Sequence, residues 1–443
     1  MVDLNGDRGR HERKSPSTSR IRNMAISSIF ICAVAYGVAV LARDGLSSSQ
    51  LVKPFKLPAQ SVFIDPKSFA VLGGTNTTFR ESSFDTFFNP TSTAPPFFQI
   101  FDPSFLSILG PNPSIREVAS NATFAFAHEA PIYVAATDEV FFASNDGGLL
   151  GMSDLEHNNV VGKISLKDVD TALAANDSVI NVPVTFLDLP DTIQMTNGGT
   201  GPYRSSLLLS TSGRGPRPPS IALVNPKAPH NVTVLLDNFF GRQFNSLNDI
   251  KRALHHLVSR HTHAYLFFSP YAHSYGFLIH FRPNPLLPNQ VYRFDPESGA
   301  VWVVATDFDK CNGIAFTADG KTAYITDTGA AGGFLGFNQT EPATIYAFDV
   351  DARTHVFKNR RVFAYVDTGI PDGLQVDLKG NVYSGCGDGV QVWNDEGTLL
   401  GKFFSGMTTA NMVFTTRGRL VILAETKIFV ADIAAQGIAP ISP

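Results

Sequence analysis

Cysteine is nearly missing from this 443-residue chain: there are three, and Cys32 lies inside an apolar run. That leaves Cys311 and Cys386, too few for a disulfide framework; one bridge between them is conceivable, and two free buried thiols are the simpler expectation. Charge is also scarce, at 17% of residues, and 35 basic against 39 acidic side chains give a net charge of -4. No basic footprint for nucleic acid or an anionic surface exists in such a balance. Helical periodicity is missing past the apolar run, apart from Lys163 to Ala175, which could hold a short helix. What is abundant is 36 Gly, 28 Pro and 36 Phe in a chain 44% hydrophobic, the make-up of a large all-β protein with ample core.

Long hydrophobic runs are absent with one exception. Residues 1–23 form a polar, basic tail, and Met24 to Ala42 then runs without a charge. At 1.5 Å per residue such a helix spans about 28 Å, roughly the hydrocarbon thickness of a bilayer. Positive charge on its N-terminal side predicts a transmembrane signal-anchor over 24–42, with the remainder of the chain lumenal or extracellular. A cleaved signal peptide and a secreted product is the competing expectation, since Val40-Leu41-Ala42 offers small residues for cleavage. Residues 43–57 read as a linker and 58–436 as the globular region. Sequons at Asn76, Asn121, Asn176, Asn231 and Asn338 suit a glycoprotein.

A single passage of the globular region is written twice, sixty residues apart. Asn312-Gly-Ile-Ala-Phe-Thr-Ala-Asp-Gly320 continues to Tyr324 and Asp327; Asp372-Gly-Leu-Gln-Val-Asp-Leu-Lys-Gly380 continues to Tyr383 and Asp388. Each is an alternating strand, a turn glycine and a second strand. Val291-Tyr-Arg-Phe, Ile345-Tyr-Ala-Phe and Val390-Gln-Val-Trp form a further repeat. Asn411-Met-Val-Phe repeats the start, and Glu129-Ala-Pro-Ile-Tyr followed by Glu139-Val-Phe-Phe is an earlier copy. One unit of this size cannot bury both faces alone, so an array is required. Four strands per 45–60 residues is the density of a propeller blade, and the length leaves room for six. The prediction is an all-β, six-bladed β-propeller preceded by the N-terminal transmembrane or signal helix.

In a closed array the repeat starts converge on the axis: Glu129, Asn248, Asn312 and Asp372. Two carboxylates and two amide oxygens form a hard set suited to Ca²⁺, with room for water and substrate. Asn-Gly and Asp-Gly are also common turn dipeptides, so the recurrence rather than any single pair carries the expectation.

Cys311-Asn-Gly-Ile-Ala-Phe, Ile370-Pro-Asp-Gly-Leu-Gln-Val and Tyr383 resemble the gluconolactonase/regucalcin-type (SMP-30/gluconolactonase) family of six-bladed propellers. Phe240-Gly-Arg-Gln-Phe-Asn-Ser-Leu-Asn-Asp249 and Gly385-Cys-Gly-Asp-Gly-Val-Gln-Val-Trp393 are similar to its fungal lactonohydrolase branch. The resemblance implies a calcium-dependent lactone hydrolase, with an aldonolactone or gluconolactone-like substrate. It places the metal ligands on Glu129, Asn248, Asn312 and Asp372; another divalent cation could serve. Asp372 is the candidate general base or water-orienting group, a metal-held hydroxide being the alternative. His128 and Arg242 are candidate substrate contacts, against a packed His and a surface Arg. A non-catalytic binding propeller and a metal-dependent esterase or phosphotriesterase are the other readings, because one fold hosts many chemistries. A monomer is expected, with no nucleic-acid partner.

The chain departs from the pattern after Asn248-Asp249. The turn glycine is lacking, Pro270 stands where an Asp is expected, and His255, His256, His261, His263, His273 and His280 crowd the segment. Proline cannot donate to a ladder, so a distorted blade or a misassigned gene segment is expected, which sequencing the transcript across 250–280 tests. A zinc site is the sharp reading of the histidines, but their spacing matches no metal motif and a solvated loop is preferred.

Overall fold

The repeated passage folds as a hairpin both times. Cys311–Phe316 pairs antiparallel with Thr322–Asp327, and Leu374–Val376 with Val382–Cys386. Both turn glycines take the left-handed conformation, Gly320 at φ +67° and Gly380 at φ +88°. Only glycine does so without steric cost. The Gly320 N–H donates to the Thr317 carbonyl at 2.8 Å, and the Gly380 N–H to Asp377 at 3.0 Å.

The computed structural model describes residues 56–68, 89–147, 149–175, 179–255, 263–270, 286–333 and 336–438. The 1–23 tail, the 24–42 run, nearly all of the 43–57 linker and the sequons at Asn76 and Asn176 lie outside them. So do His256, His261, His273 and His280, and hence the zinc reading. Among the described residues no helix is long and apolar enough to cross a membrane.

Each hairpin extends to a blade of four antiparallel strands, and six such blades form five four-stranded sheets and one that two further strands widen to six. Their first strands are Glu129–Val134, Thr196–Tyr203, Leu247–His255, Cys311–Phe316, Leu374–Val376 and Asn411–Phe414, for blades 1 to 6. Each first strand touches that of the next blade, and Asn411–Phe414 returns to Glu129–Val134, so the ring is closed with these strands at the axis. The outermost strand of blade 6 is Ser114–Ser120, paired with Lys427–Asp432. On the outer edge of blade 5, Phe97–Ile100 pairs with Leu399–Phe404, and Ser61–Phe63 follows it in parallel.

The core lies in the seams between blades. Ile132 and Leu209 pack together between blades 1 and 2, Leu208 and Phe268 between 2 and 3, and Phe267 and Ile325 between 3 and 4. Tyr324 and Trp393 fill the fourth seam, Phe403 and Ile422 the fifth, and Phe142 and Val430 the sixth. Fully burying each such side chain is worth about 1.5–3 kcal/mol. Cys311 and Cys386 belong to these packed interiors without a disulfide between them, so the conceivable bridge is not formed.

The short helix is present as Leu166–Ala174, where the Ser165 hydroxyl caps it by accepting from the Asp168 N–H. Blade 3 is a complete sheet despite its sequence. Pro270 is the last residue of the second strand, His263–Pro270, which pairs on both sides with neighbouring strands. Placement on an edge strand or outside a strand, expected for a proline, is therefore corrected: a proline at a strand end interrupts little of the ladder.

Candidate metal-binding and active site

The starts of the first strands meet where the ring is narrowest, and glycine is what lets them. A Cβ on Gly313 would fall 2.2 Å from the Asp372 carbonyl oxygen, and one on Gly198 2.0 Å from that of Asn248. On Gly373 it would strike the Asn411 side chain at 2.2 Å. The Gly that follows Asn197, Asn312 and Asp372 is thus required by the neighbouring blade, and Asn312-Gly313 lies inside a strand rather than a turn.

Hydroxyl groups then fix the ring. Ser210 Oγ donates to the Asn248 carbonyl at 2.6 Å, Ser269 Oγ to that of Asn312, and Thr326 Oγ1 to that of Asp372 at 3.0 Å. Each hydroxyl sits next to last in the second strand of one blade and holds the axial residue of the next. Sequence reasoning missed this set, although Leu-Ser210-Thr, Phe-Ser269-Pro and Ile-Thr326-Asp show the recurring position.

The side chains gather below those carbonyls. One ligand atom each of His128, Glu129 and Asp372 lies within 4.8 Å of the others. Asn312 makes a side-chain hydrogen bond to Asp372. Asn411 Nδ2 donates to Glu129 Oε2 at 2.9 Å, and the same oxygen accepts from the Ala130 N–H at 3.1 Å. Asn248 is the second residue of the neighbouring first strand, Leu247–His255. The Oδ1 atoms of Asn248, Asn312 and Asp372 are all buried and accept no hydrogen bond. A buried acceptor left unmade costs about 1–3 kcal/mol, so three such oxygens on neighbouring first strands are the pattern a bound cation would satisfy.

Charge points the same way. Burial pushes Asp372 up to about 7, with repulsion from Glu425 and Asp249 adding to it and His128 and Asn312 opposing. Glu129 is driven well above the carboxylate range by burial and then by Asp372. Asp249, whose oxygens accept from the Ile250 and Ile314 N–H groups, is raised by burial too. Buried carboxyls at such density are paired or bind a metal. Amide and carboxylate oxygens are hard donors, so the residues present fit a hard divalent cation.

His128 lies within this group, with its Nδ1 engaged by a carboxylate. Its Nδ1 lies 2.7 Å from Glu425 Oε1, whose other oxygen accepts from Asn145 Nδ2 at 2.9 Å. Burial works against charge on the ring, but Glu425, backed by Glu129 and Asp372, holds its pKa at about 10. Arg242 is exposed on a two-strand hairpin opposite Phe239, and no contact among the described residues joins it to the axis.

Five further residues complete the picture: Asn411, Asp249, Glu425, Asn145 and Asn197. Asn197 follows Thr196 as Asn248 follows Leu247 and Asn312 follows Cys311, at one shared register, and is buried. Its Asn197-Gly198 pair was a readable signal. Asn411 is read from the sequence as a repeat start, but not as a partner of Glu129.

The fold and site together define a six-bladed β-propeller with a ring of carboxylate and amide oxygens around its axis. In sequence, residues 279–426 match the family described as SMP-30/Gluconolactonase/LRE-like region. The lactonohydrolase oryH of Aspergillus oryzae is 28% identical over 363 residues, covering 69% of this chain and 73% of that protein. The lactonohydrolase oryL of the same organism is 28% identical over 326 residues, covering 70% and 67%. A gluconolactonase structure from Xanthomonas campestris superposes with a TM-score of 0.55 at 22% identity, covering 76% of this chain and 94% of that one, a likeness of fold. The resemblance to the gluconolactonase-type propellers and their fungal lactonohydrolases is thereby shown.

Proposed function

We propose that the protein is a lactonase that opens the ester bond of an aldonolactone or gluconolactone-like ring with the help of a bound divalent cation, Ca²⁺. The observation that carries this reading is the trio of unpaired, buried Oδ1 atoms on Asn248, Asn312 and Asp372 beside Glu129. The lactonohydrolase names of its relatives in Aspergillus oryzae supply the reaction class.

Glu129, Asn248, Asn312 and Asp372 would hold the cation, which when bound supplies positive charge to polarise the lactone carbonyl. The two asparagines contribute oxygen without adding charge, so the ring stays near neutrality. Asn411 fixes the orientation of Glu129. Asp372 orients the attacking water and accepts its proton at a carboxylate oxygen. Glu425 and Asn145 hold the His128 ring against the group, where it contacts substrate or the departing alkoxide. Arg242 would reach substrate only from the hairpin at the mouth.

The decisive experiment compares lactone hydrolysis by the full chain with Ca²⁺, with chelator, and in Asp372→Asn. Loss of at least about 100-fold in kcat/KM with chelator and in the variant is expected, the size of a removed oxyanion stabiliser. Turnover indifferent to both refutes the mechanism. No turnover, with calcium still raising the melting temperature, leaves a binding propeller; turnover of other esters or phosphotriesters alone moves the substrate class.

We also place the chain, as a monomer, on the lumenal or extracellular side of a membrane through residues 24–42, or in the secreted fraction. Asn121, Asn231 and Asn338 are all exposed, as glycan acceptors must be. Resistance to alkaline extraction and a mass shift on deglycosylation test anchor and glycans; extractable, unglycosylated protein removes both.

A further inference from the structure

The axial cluster uses only the beginnings of the six first strands. Their far ends surround a separate cavity of about 430 Å³. Residues from all six first strands line it, together with the turn at 317–321 in blade 4. From Asn312 to Phe316 is four residues, roughly 13 Å at ~3.3 Å each, so the cavity and the metal ring occupy opposite ends of the channel. Its size is that of a small-molecule pocket.

The walls are apolar for the most part, formed by Ile132, Ala315, Val376 and Val413. The charged side chains can be accounted for singly. Arg252 donates from Nη1 to the Pro202 carbonyl at 3.4 Å and lies 5.7 Å from the Tyr203 ring. Lys321 pairs with Asp319 at 3.2 Å, both exposed. Gln375 spends its Nε2 on the Met412 carbonyl at 2.9 Å. Lys251 is half-buried and, among the described residues, its ammonium has neither hydrogen bond nor ion pair. Its charge is felt by Asp249, two residues earlier on the strand, but the two do not pair. A half-buried ammonium without a contacting counter-ion among apolar walls is incompletely compensated.

We infer that this second cavity binds a small monocarboxylate with an apolar body, its carboxylate on Lys251 and its carbon chain against Ile132, Ala315, Val376 and Val413. One ammonium is a point charge that matches one carboxylate. A phosphate brings nearly two charges and three oxygens that need several donors, whereas Arg252, Lys321 and Gln375 are already engaged with the Pro202 carbonyl and Tyr203 ring, Asp319 and the Met412 carbonyl. The inference is independent of the lactonase reading, since no residue of the metal ring takes part.

The test is calorimetric titration of the full chain with hexanoate, benzoate, 1-hexanol and inorganic phosphate, with chelator present throughout so that no axial metal can coordinate the carboxylates. Saturable one-to-one binding of hexanoate or benzoate with Kd below about 1 mM is expected. Hexanol and phosphate should bind at least about 10-fold more weakly. Lys251→Met should weaken the carboxylates by about 10-fold or more, while Lys321→Met leaves them unchanged. The hexanoate–hexanol comparison needs no variant, so a misfolded Lys251→Met does not rescue the idea. Absent carboxylate binding, equal binding of hexanol, tighter binding of phosphate, or an unaffected folded Lys251→Met overturns it.

Discussion

At the residue scale, the axial glycines and the oxygens beside them act as one device. Gly313→Ala would push a methyl group to 2.2 Å from the Asp372 carbonyl oxygen. Backbone cannot retreat as a flexible side chain can, so a cost of about 1–3 kcal/mol is expected. Thermal denaturation should show a midpoint lower by several degrees and, on the proposed function, a smaller stabilisation by added calcium than in the parent protein. A shift in the midpoint with an undiminished calcium response would mean that the glycine serves packing alone.

Of the whole site, the axial side chains were the most readily read from sequence. Glu129, Asn248, Asn312 and Asp372 announced themselves by position in a repeat, and the structure brings Glu129, Asn312 and Asp372 into direct proximity with Asn248 one strand away. Glu425 could not be read, because it meets His128 across 297 residues of chain. Nothing local to either residue marks such a pair.

At the element scale, the hydroxyls that staple one blade to the next can be tested separately. Thr326→Val keeps shape and removes the donor to the Asp372 carbonyl. A loss of about 1 kcal/mol is expected, read as a lower denaturant midpoint at constant slope. A larger effect arises in blade 5. Lys402, 1% exposed, bridges Asp388 at 2.8 Å and Asp367 at 2.7 Å, with Asp388 itself buried. Lys402→Met leaves Asp388 in the interior without its cation and should cost about 3–5 kcal/mol in urea unfolding. Restoring stability with Asp388→Asn in the same chain would confirm the origin of the loss.

Blade 2 shows why element reading is uneven. Its first strand is Thr-Asn-Gly-Gly-Thr-Gly-Pro-Tyr203, which carries the composition of a loop. It is a strand because Ser206–Thr211 pairs with it and because the flanking first strands need a neighbour that thin. Tertiary demand overrides local preference there. By contrast, the third-strand repeats at Val291, Ile345 and Val390 carried both alternation and aromatics, and all three fold as third strands.

At the scale of the whole molecule, a closed ring of six blades was legible from the repeats and the length, whereas the strand that closes it was not. Ser114–Ser120 gives no sign that its partner is the last strand of the ring. Deleting residues 114–120 should leave blade 6 with an open edge and expose the seam where Val118 packs with Ile428 and Val430. Rapid proteolysis of the truncated protein, against resistance of the parent under the same conditions, is the expected result.

That latch has a consequence in time. Lys427 and Glu117, which join across it, are 310 residues apart in the chain. During synthesis the early strand must wait, unpaired, until nearly the whole polypeptide has left the ribosome. Pairings between such remote segments are slow because the entropy of closing the intervening chain is lost before any contact rewards it. Pulse-labelled hydrogen exchange during refolding should therefore find the amides of Ser114–Ser120 and Lys427–Asp432 gaining protection together, and last.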